Sequence, residues 1–168
     1  RGFEPDQLLV INGLGNTGIQ SRQETFRALV GKLPGVQAAS LSYEAPTEFR
    51  ESNTGLLILG EDQEAAYSVG STRVDPYYLR ALDIQLLAGR FFRPDVALDH
   101  FPKWEDHPGS KILQTNVVLN KHAVDVLDLG TPQEAIGRVV ETRYALDDGS
   151  NGKIHQTVTG VIANTKLH

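Results

Sequence analysis

Three glycines and one acid make the sharpest chemical signal in this sequence. Gly13, Gly15 and Gly18 in INGLGNTG follow the apolar run Leu8 to Asn12, and Glu44 closes the next extended stretch. The spacing matches G-x-G-x-x-G, in which a tight turn brings backbone amides to a pyrophosphate and a downstream acid holds a ribose hydroxyl. That chemistry needs a helix opening inside the motif, so that its free N–H groups face the phosphates. Here the best N-cap, Ser21, comes after the last glycine. A turning loop is therefore the favoured reading of Gly13 to Gly18, and a small-molecule or dinucleotide-binding α/β domain is the alternative.

The other chemical candidates lack a fixed frame. His100 and His107 share one irregular stretch with Asp99, Glu105 and Asp106, all of them able to donate to a metal. They show no H-E-x-x-H or other helical ligand spacing, and a proline-bent loop is a poor rigid template. Serine occurs without a G-x-S-x-G elbow. Asp147 and Asp148 are adjacent acids in a glycine-rich turn, where carboxylates are ordinarily solvated. With no cysteine in the chain, thiolate chemistry, disulfides and Cys-based metal sites are excluded. No residue is assigned a catalytic, cofactor-binding or metal-binding role, and no enzymatic activity is expected.

The elements that would position such residues follow from periodicity. Leu8 to Asn12 reads as a buried strand, and Ser21 with Glu24 fits a capping box for a helix whose apolar side is Phe26, Leu29, Val30 and Leu33. Pro34-Gly35 ends that helix, and Val36 to Tyr43 reads as the next strand, completing a β-α-β beginning. Pro46 to Asn53 is turn-rich, Gly55 to Leu59 and Ala66 to Val74 read as strands, and Glu61, Asp62 and Glu64 mark a solvated turn between them. Prolines 94, 102 and 108 make 94–110 an irregular excursion. Asn116 to Asn120 then reads as a strand, and Asn120 as the cap of a helix over Lys121 to Leu129 with Ala123, Val124 and Leu127 inward and Gly130 as its stop. Thr131-Pro132-Gln133-Glu134 supplies a second capping box, for a short turn ending at Gly137. Arg138 to Tyr144 and Ile154 to Ile162, joined by DDGSNG, read as a hairpin.

The chain is organised around Val74 to Phe92, VDPYYLRALDIQLLAGRFF. Asp75 can cap a short helix with Pro76 in its first turn, Tyr78, Leu79 and Leu82 form its apolar side, and the extended IQLL follows. Arg90 follows Gly89 and precedes two aromatics, so its stem can pack while its guanidinium bridges a carboxylate or backbone carbonyls. Gly89 and Gly137 have an architectural look, suited to close backbone approach or a positive dihedral. Together with NVVLNKHAVDVLDLGTPQEAIGRVV (Asn116 to Val140), VTGVIANTKLH at the end and GFEPDQLLVI at the start, this stretch resembles the extracytoplasmic, periplasmic-core domain of bacterial ABC-transporter permeases of the MacB/FtsX-like kind.

The resemblance implies a mixed α/β sheet of short β-α-β units in one or two small lobes, spanning residues 1–168. It further implies a non-catalytic domain on the periplasmic or outer face of the cell membrane, attached through flanking membrane helices. Such a domain passes movement driven by a cytosolic ABC ATPase to a cargo or partner outside, and a second permease copy and an extracytoplasmic adaptor are the other implied partners. Asp75, Tyr78, Leu82, Leu87, Gly89, Arg90 and Gly137 are the expected structural and coupling residues. Phe101 and Trp104 are expected either to anchor the 94–110 excursion or to form a partner-contacting tip. Where the family segment commonly reads V-V-G-V-V-x-D-F-H, this chain has Asn164, Thr165 and Lys166, and Asp99 to Gly109 is unusually elaborate.

Composition agrees with a domain of this kind. A chain of 168 residues, 40% hydrophobic, can bury one sizeable core or two small ones, and its apolar runs are too short to cross a bilayer. A formal net charge of -5 disfavours nucleic acid as a partner. The start at Arg1 and the lack of methionine suggest a domain of a longer protein.

Overall fold

A computed structural model describes residues 7–16, 18–44, 53–60, 66–146 and 149–164. The chain falls into two compact units, one of Arg1–Arg50, Thr72–Gln85 and Thr165–His168, the other of Glu51–Ser71 and Leu86–Asn164. The stretch Val74 to Phe92 is thus divided between them.

The first unit contains helix α1 (Gln23–Val30) and the single-turn helix α2 (Tyr78–Ala81). The expected β-α-β beginning does not form. Leu8 to Asn12 belongs to no strand among the described residues, and Leu9 is 82% exposed. Val36 to Tyr43 makes a single antiparallel bridge, Ser42 to Val74. A physical reason lies at Asp75. Its carboxylate takes the Leu41 amide at 2.8 Å while its own amide donates to the Leu41 carbonyl, so side-chain bonding replaces the next ladder step. The Ser21 and Glu24 capping box is also absent. Ser21 lies inside a 3-10 turn, Arg22 occupies the N-cap position without a side-chain bond, and Glu24 pairs with Arg27 at 3.2 Å instead. Of the expected apolar side of α1, Phe26 and Val30 are half-buried, whereas Leu29 and Leu33 are exposed. Leu82 and Ile84 are the buried apolar side chains of this unit among the described residues.

The second unit is a mixed six-stranded sheet: β1 (Asn53–Ile58), β2 (Tyr67–Gly70), β3 (Leu86–Gly89), β4 (Ile112–Asn120), β5 (Val139–Ala145) and β6 (Asn151–Ile162). The path runs β2-β1-β5-β6-β3, with β4 also on β6. β4 lies parallel to β6 and every other pair is antiparallel. Because β6 separates β4 from β5, the expected second β-α unit is a crossover around this long strand and not two neighbouring parallel strands. The β5–β6 hairpin is as expected from Arg138 onward, with β6 beginning earlier, at Asn151. Along β6 buried and half-buried positions alternate through Gly152, Ile154, Gln156 and Val158, the period that a pleated strand imposes.

Helices α3 (Lys121–Val126) and α4 (Pro132–Ala135) close the core. Val124, Leu127, Leu129 and Ala135 pack with Leu56, Ile58, Leu119, Val140, Val158 and Val161. Leu127 is fully buried, and removing such a side chain from water contributes about 1.5–3 kcal/mol. Both expected caps are present. The Asn120 side chain accepts the Ala123 amide at 2.8 Å, and Thr131 with Glu134 forms a reciprocal capping box. Asn164, one of the departures from the family pattern, accepts the His122 amide at 2.7 Å, so two side chains satisfy amides in the first turn of α3. No helix among the described residues is long and apolar enough to cross a membrane.

Candidate functional site

The glycine cluster lacks the geometry of a dinucleotide site. Leu14–Asn16 is a 3-10 turn of three residues, and α1 opens at Gln23, beyond Gly18. Gly13 has a positive φ of 80°, and an added Cβ at Gly13, Gly15 or Gly18 would meet no atom within 4 Å. The preceding Leu8 to Asn12 belongs to no strand among the described residues. Neither the strand nor the helix terminus that a phosphate cradle needs is in place.

Two of the five candidate metal donors, Asp99 and His100, are committed to other bonds. Asp99, whose side chain is fully buried, accepts both terminal nitrogens of Arg90, Nη1 at 2.6 Å and Nη2 at 3.1 Å. Asn116 Nδ2 donates to the same carboxylate at 2.6 Å and the Arg93 amide at 2.8 Å. His100 Nε2 lies 3.0 Å from the Pro94 carbonyl oxygen. Among the described residues no group of three or more His, Asp or Glu side chains could hold a metal ion. Asp147 and Asp148 lie outside the described residues, as do Glu61, Asp62, Glu64, Thr165 and Lys166.

Arg90 therefore bridges a carboxylate, and its Nη1 also donates to the Phe91 carbonyl at 3.0 Å. Burial pushes the Asp99 carboxyl up, but the bonds from Arg90, Asn116 and the Arg93 amide outweigh burial and hold it below its usual range. The Asp99 bond raises Arg90 in turn. This clamp ties the exit of β3 to the turn Ala97–Asp99 and to β4. Thr115 adds to the tie, donating to the Leu98 carbonyl at 2.9 Å.

Gly89 shows why β3 meets β6 where it does. It sits at φ 67°, and a Cβ there would overlap the Thr159 carbonyl and fall 2.7 Å from Ile136 Cδ1. Only glycine satisfies both the backbone angle and the contact. Gly137 differs: its φ is 85° but the space beside it is open, so conformation alone fixes the residue type. Leu87 packs partly buried against the core cluster.

The remaining predicted residues are dispersed. Asp75, Tyr78 and Leu82 belong to the first unit, whereas Leu87, Gly89, Arg90, Phe101, Trp104 and Gly137 belong to the second. Asp75 is buried, with Oδ1 3.0 Å from the Tyr77 amide and Oδ2 3.5 Å from Arg27 Nε. Burial raises its carboxyl above the ordinary 3.8 against the opposing pull of the amides and Arg27, and burial also raises the Tyr78 hydroxyl. Trp104 is half-buried and its ring covers Gly152, where a Cβ would fall 2.7 Å from the indole. Phe101 is 40% exposed.

One charge cluster is not among the residues that sequence reasoning singled out. Glu141 on β5, with a side chain only 5% exposed, meets Arg143 at 2.7 Å, His155 at 3.0 Å and Lys153 at 3.4 Å. Burial raises this carboxyl, and the bonds from Arg143, His155 and Lys153 outweigh it, leaving it below the ordinary 4.5. Glu141 lies opposite His155 and Arg143 opposite Lys153 in the ladder, a register that pairs residues of β5 and β6 across their turn. Alternating charge in the two strands was the available trace of it.

Comparison with known proteins adds little. No family model and no curated protein matches the sequence. A solved domain ascribed to a permease protein of Porphyromonas gingivalis is similar at 14% identity and a TM-score of 0.46 over 82% of this chain and 48% of that one. This chain spans about half the length of that structure, and a likeness of this degree carries no weight for function.

Proposed function

We propose that the chain is a non-catalytic extracytoplasmic domain of an ABC-transporter permease of the MacB/FtsX-like kind, passing movement driven by cytosolic ATP hydrolysis to a cargo or partner outside the membrane. One observation carries the reading: segments far apart in sequence that resemble that family assemble around a single strand. β3, from the first segment, and Asn116–Asn120 of β4 with Val139 and Val140 of β5, from the second, all pair with β6, whose end lies in the third. A sheet joined this way, with a close-packed core on α3 and α4, suits a body that moves as a piece. The partners in this reading are a cytosolic ATPase acting through the parent permease, a second permease copy, and an adaptor or cargo protein. Membrane helices outside this chain would attach it, on the periplasmic or outer face. Phe101 is the proposed contact on the excursion, while Trp104 holds that excursion in place over Gly152.

The parent gene provides the first test: it should encode membrane-spanning segments flanking this chain, beside an ATPase gene. In the full-length protein reconstituted with its ATPase, Phe101→Ala should lower the coupled output several-fold and leave ATP binding unchanged. An undiminished output removes Phe101 from the contact surface. Micromolar nucleotide binding by this chain, abolished by Gly15→Val, overturns the permease reading itself.

A further inference from the structure

A cleft of about 300 Å³ in the first unit runs between α1 and the segment 37–39, closed at one side by the turn that carries α2. Among the described residues its charged lining is cationic: Arg27, Lys32 and Arg80, with Gln37 and Tyr77 as further polar groups. Among the described residues no carboxylate lines it, in a chain whose net charge is -5. Arg27 is held in place before any ligand arrives. Its Nε lies 3.2 Å from Glu24 and 3.5 Å from the buried Asp75, and its guanidinium carbon stacks 3.7 Å above the Tyr77 ring. Those contacts engage Nε and the guanidinium face, and among the described residues neither terminal nitrogen donates a hydrogen bond. A fixed guanidinium loses little freedom when an oxyanion docks, and Arg27, Lys32 and Arg80 against Asp75 and Glu24 leave one positive charge in excess.

We propose that this cleft is an anion-binding site for a phosphate group, carried either by a small soluble molecule or by a lipid headgroup. Arg27 is the oriented donor, and Arg80 and Lys32 supply the field. The site is independent of the permease reading, which stands or falls on other observations.

Calorimetric titration of the chain with inorganic phosphate tests it at low salt. Saturable binding is expected, weakened at least ten-fold in Lys32→Gln/Arg80→Gln and in Arg27→Gln, with the double variant melting at the wild-type temperature. Because Arg27 also holds Asp75, the double variant is the decisive one. Amide shift changes in a phosphate titration followed by NMR should concentrate at residues 27–39 and 77–80. Co-sedimentation with phosphatidic acid vesicles, competed by inorganic phosphate and absent with phosphatidylcholine vesicles, identifies the lipid source. Phosphate binding without sedimentation identifies a soluble one. No saturable phosphate binding, equal binding by the folded double variant, or shift changes centred elsewhere overturns the proposal.

Discussion

The two units of this protein are held together by different physics. In the second, Val124, Leu127, Ala135, Val140, Val158 and Val161 are sealed from water between a sheet and two short helices. In the first, Leu82 and Ile84 are the buried apolar side chains among the described residues, and Leu9, Leu29, Leu33 and Tyr43 are exposed. Its fixed points are polar: Asp75 bonded to the Leu41 and Tyr77 amides, and Arg27 stacked on Tyr77. A unit ordered by burial tolerates changes at its surface and fails when a cavity opens. One with few buried apolar side chains is less sensitive to apolar truncation over most of its surface and depends more on single polar groups.

The largest expected contrast is in apolar truncation. Leu127→Ala should destabilise the second unit by about 2–5 kcal/mol in urea unfolding, through lost transfer energy and the cavity left behind. Leu29→Ala, at an exposed position of α1, and Leu33→Ala, exposed in the turn after it, should stay within about 0.5 kcal/mol. A comparable loss at Leu29 would mean that this face is covered in solution and the contrast is false.

Gly89→Val should cost on the order of 3 kcal/mol or more, because it forces a branched side chain into a left-handed angle and against the Thr159 carbonyl. Thermal melts of the purified chain would show it. Asp99→Ala should cost about 2 kcal/mol. That is below the 3–5 kcal/mol typical of breaking a fully buried pair, since the Arg90 side chain is 39% exposed and water screens what is left. A loss below about 0.5 kcal/mol would reduce the clamp to an ordinary surface ion pair.

Caps separate the units more finely. Asn120→Ala and Thr131→Ala should each cost about 1 kcal/mol, whereas Ser21→Ala should be neutral, because the capping box at α1 does not form. A destabilising Ser21→Ala would restore that box.

The smallest effect is in pH, and the units respond with opposite sign. Asp99 and Glu141 have lowered folded pKa values, so their stabilisation is complete above the ordinary 3.8 and 4.5 and is lost as pH falls through the folded values. Asp75 is raised, so its contribution is complete below 3.8 and is lost as pH rises through the folded value. Asp75→Asn, which mimics the protonated acid, should therefore gain urea resistance relative to wild type as pH rises, whereas Asp99→Asn should lose it. Parallel trends would show that Asp75 is ionised at no extra cost in the folded chain.

Local chemistry made much of the second unit legible. Asn120 three residues before the Ala123 amide, Thr131 before Glu134, and apolar residues at 123, 124 and 127 each specify a structure within one helical turn. The hairpin was readable from two alternating strands and a glycine-rich turn, and Arg90 from the pairing of a packing stem with a fork of donors. The cross-strand cluster at Glu141 was not, because which charges oppose one another depends on register. In the first unit Leu8 to Asn12 and Val36 to Tyr43 had strand-like composition, yet a strand also needs a neighbouring edge, and the Asp75 side chain takes the amide that the next ladder bond would use.

By itself, then, the sequence determined the caps of α3 and α4, the excursion between prolines and the segments that resemble one family, since each depends on groups a few residues apart, whereas the caps it offered at Ser21 and Asp75 do not form, Arg22 and Tyr77 holding those N-cap positions without a side-chain bond. Only the tertiary structure decided that those segments meet on β6, that Asp99 pairs with Arg90, and that Arg27, Lys32 and Arg80 share one cleft. Spacing along a chain constrains nearest neighbours. Which distant groups come within hydrogen-bonding range is set by strand register and packing, which are properties of the folded chain as a whole.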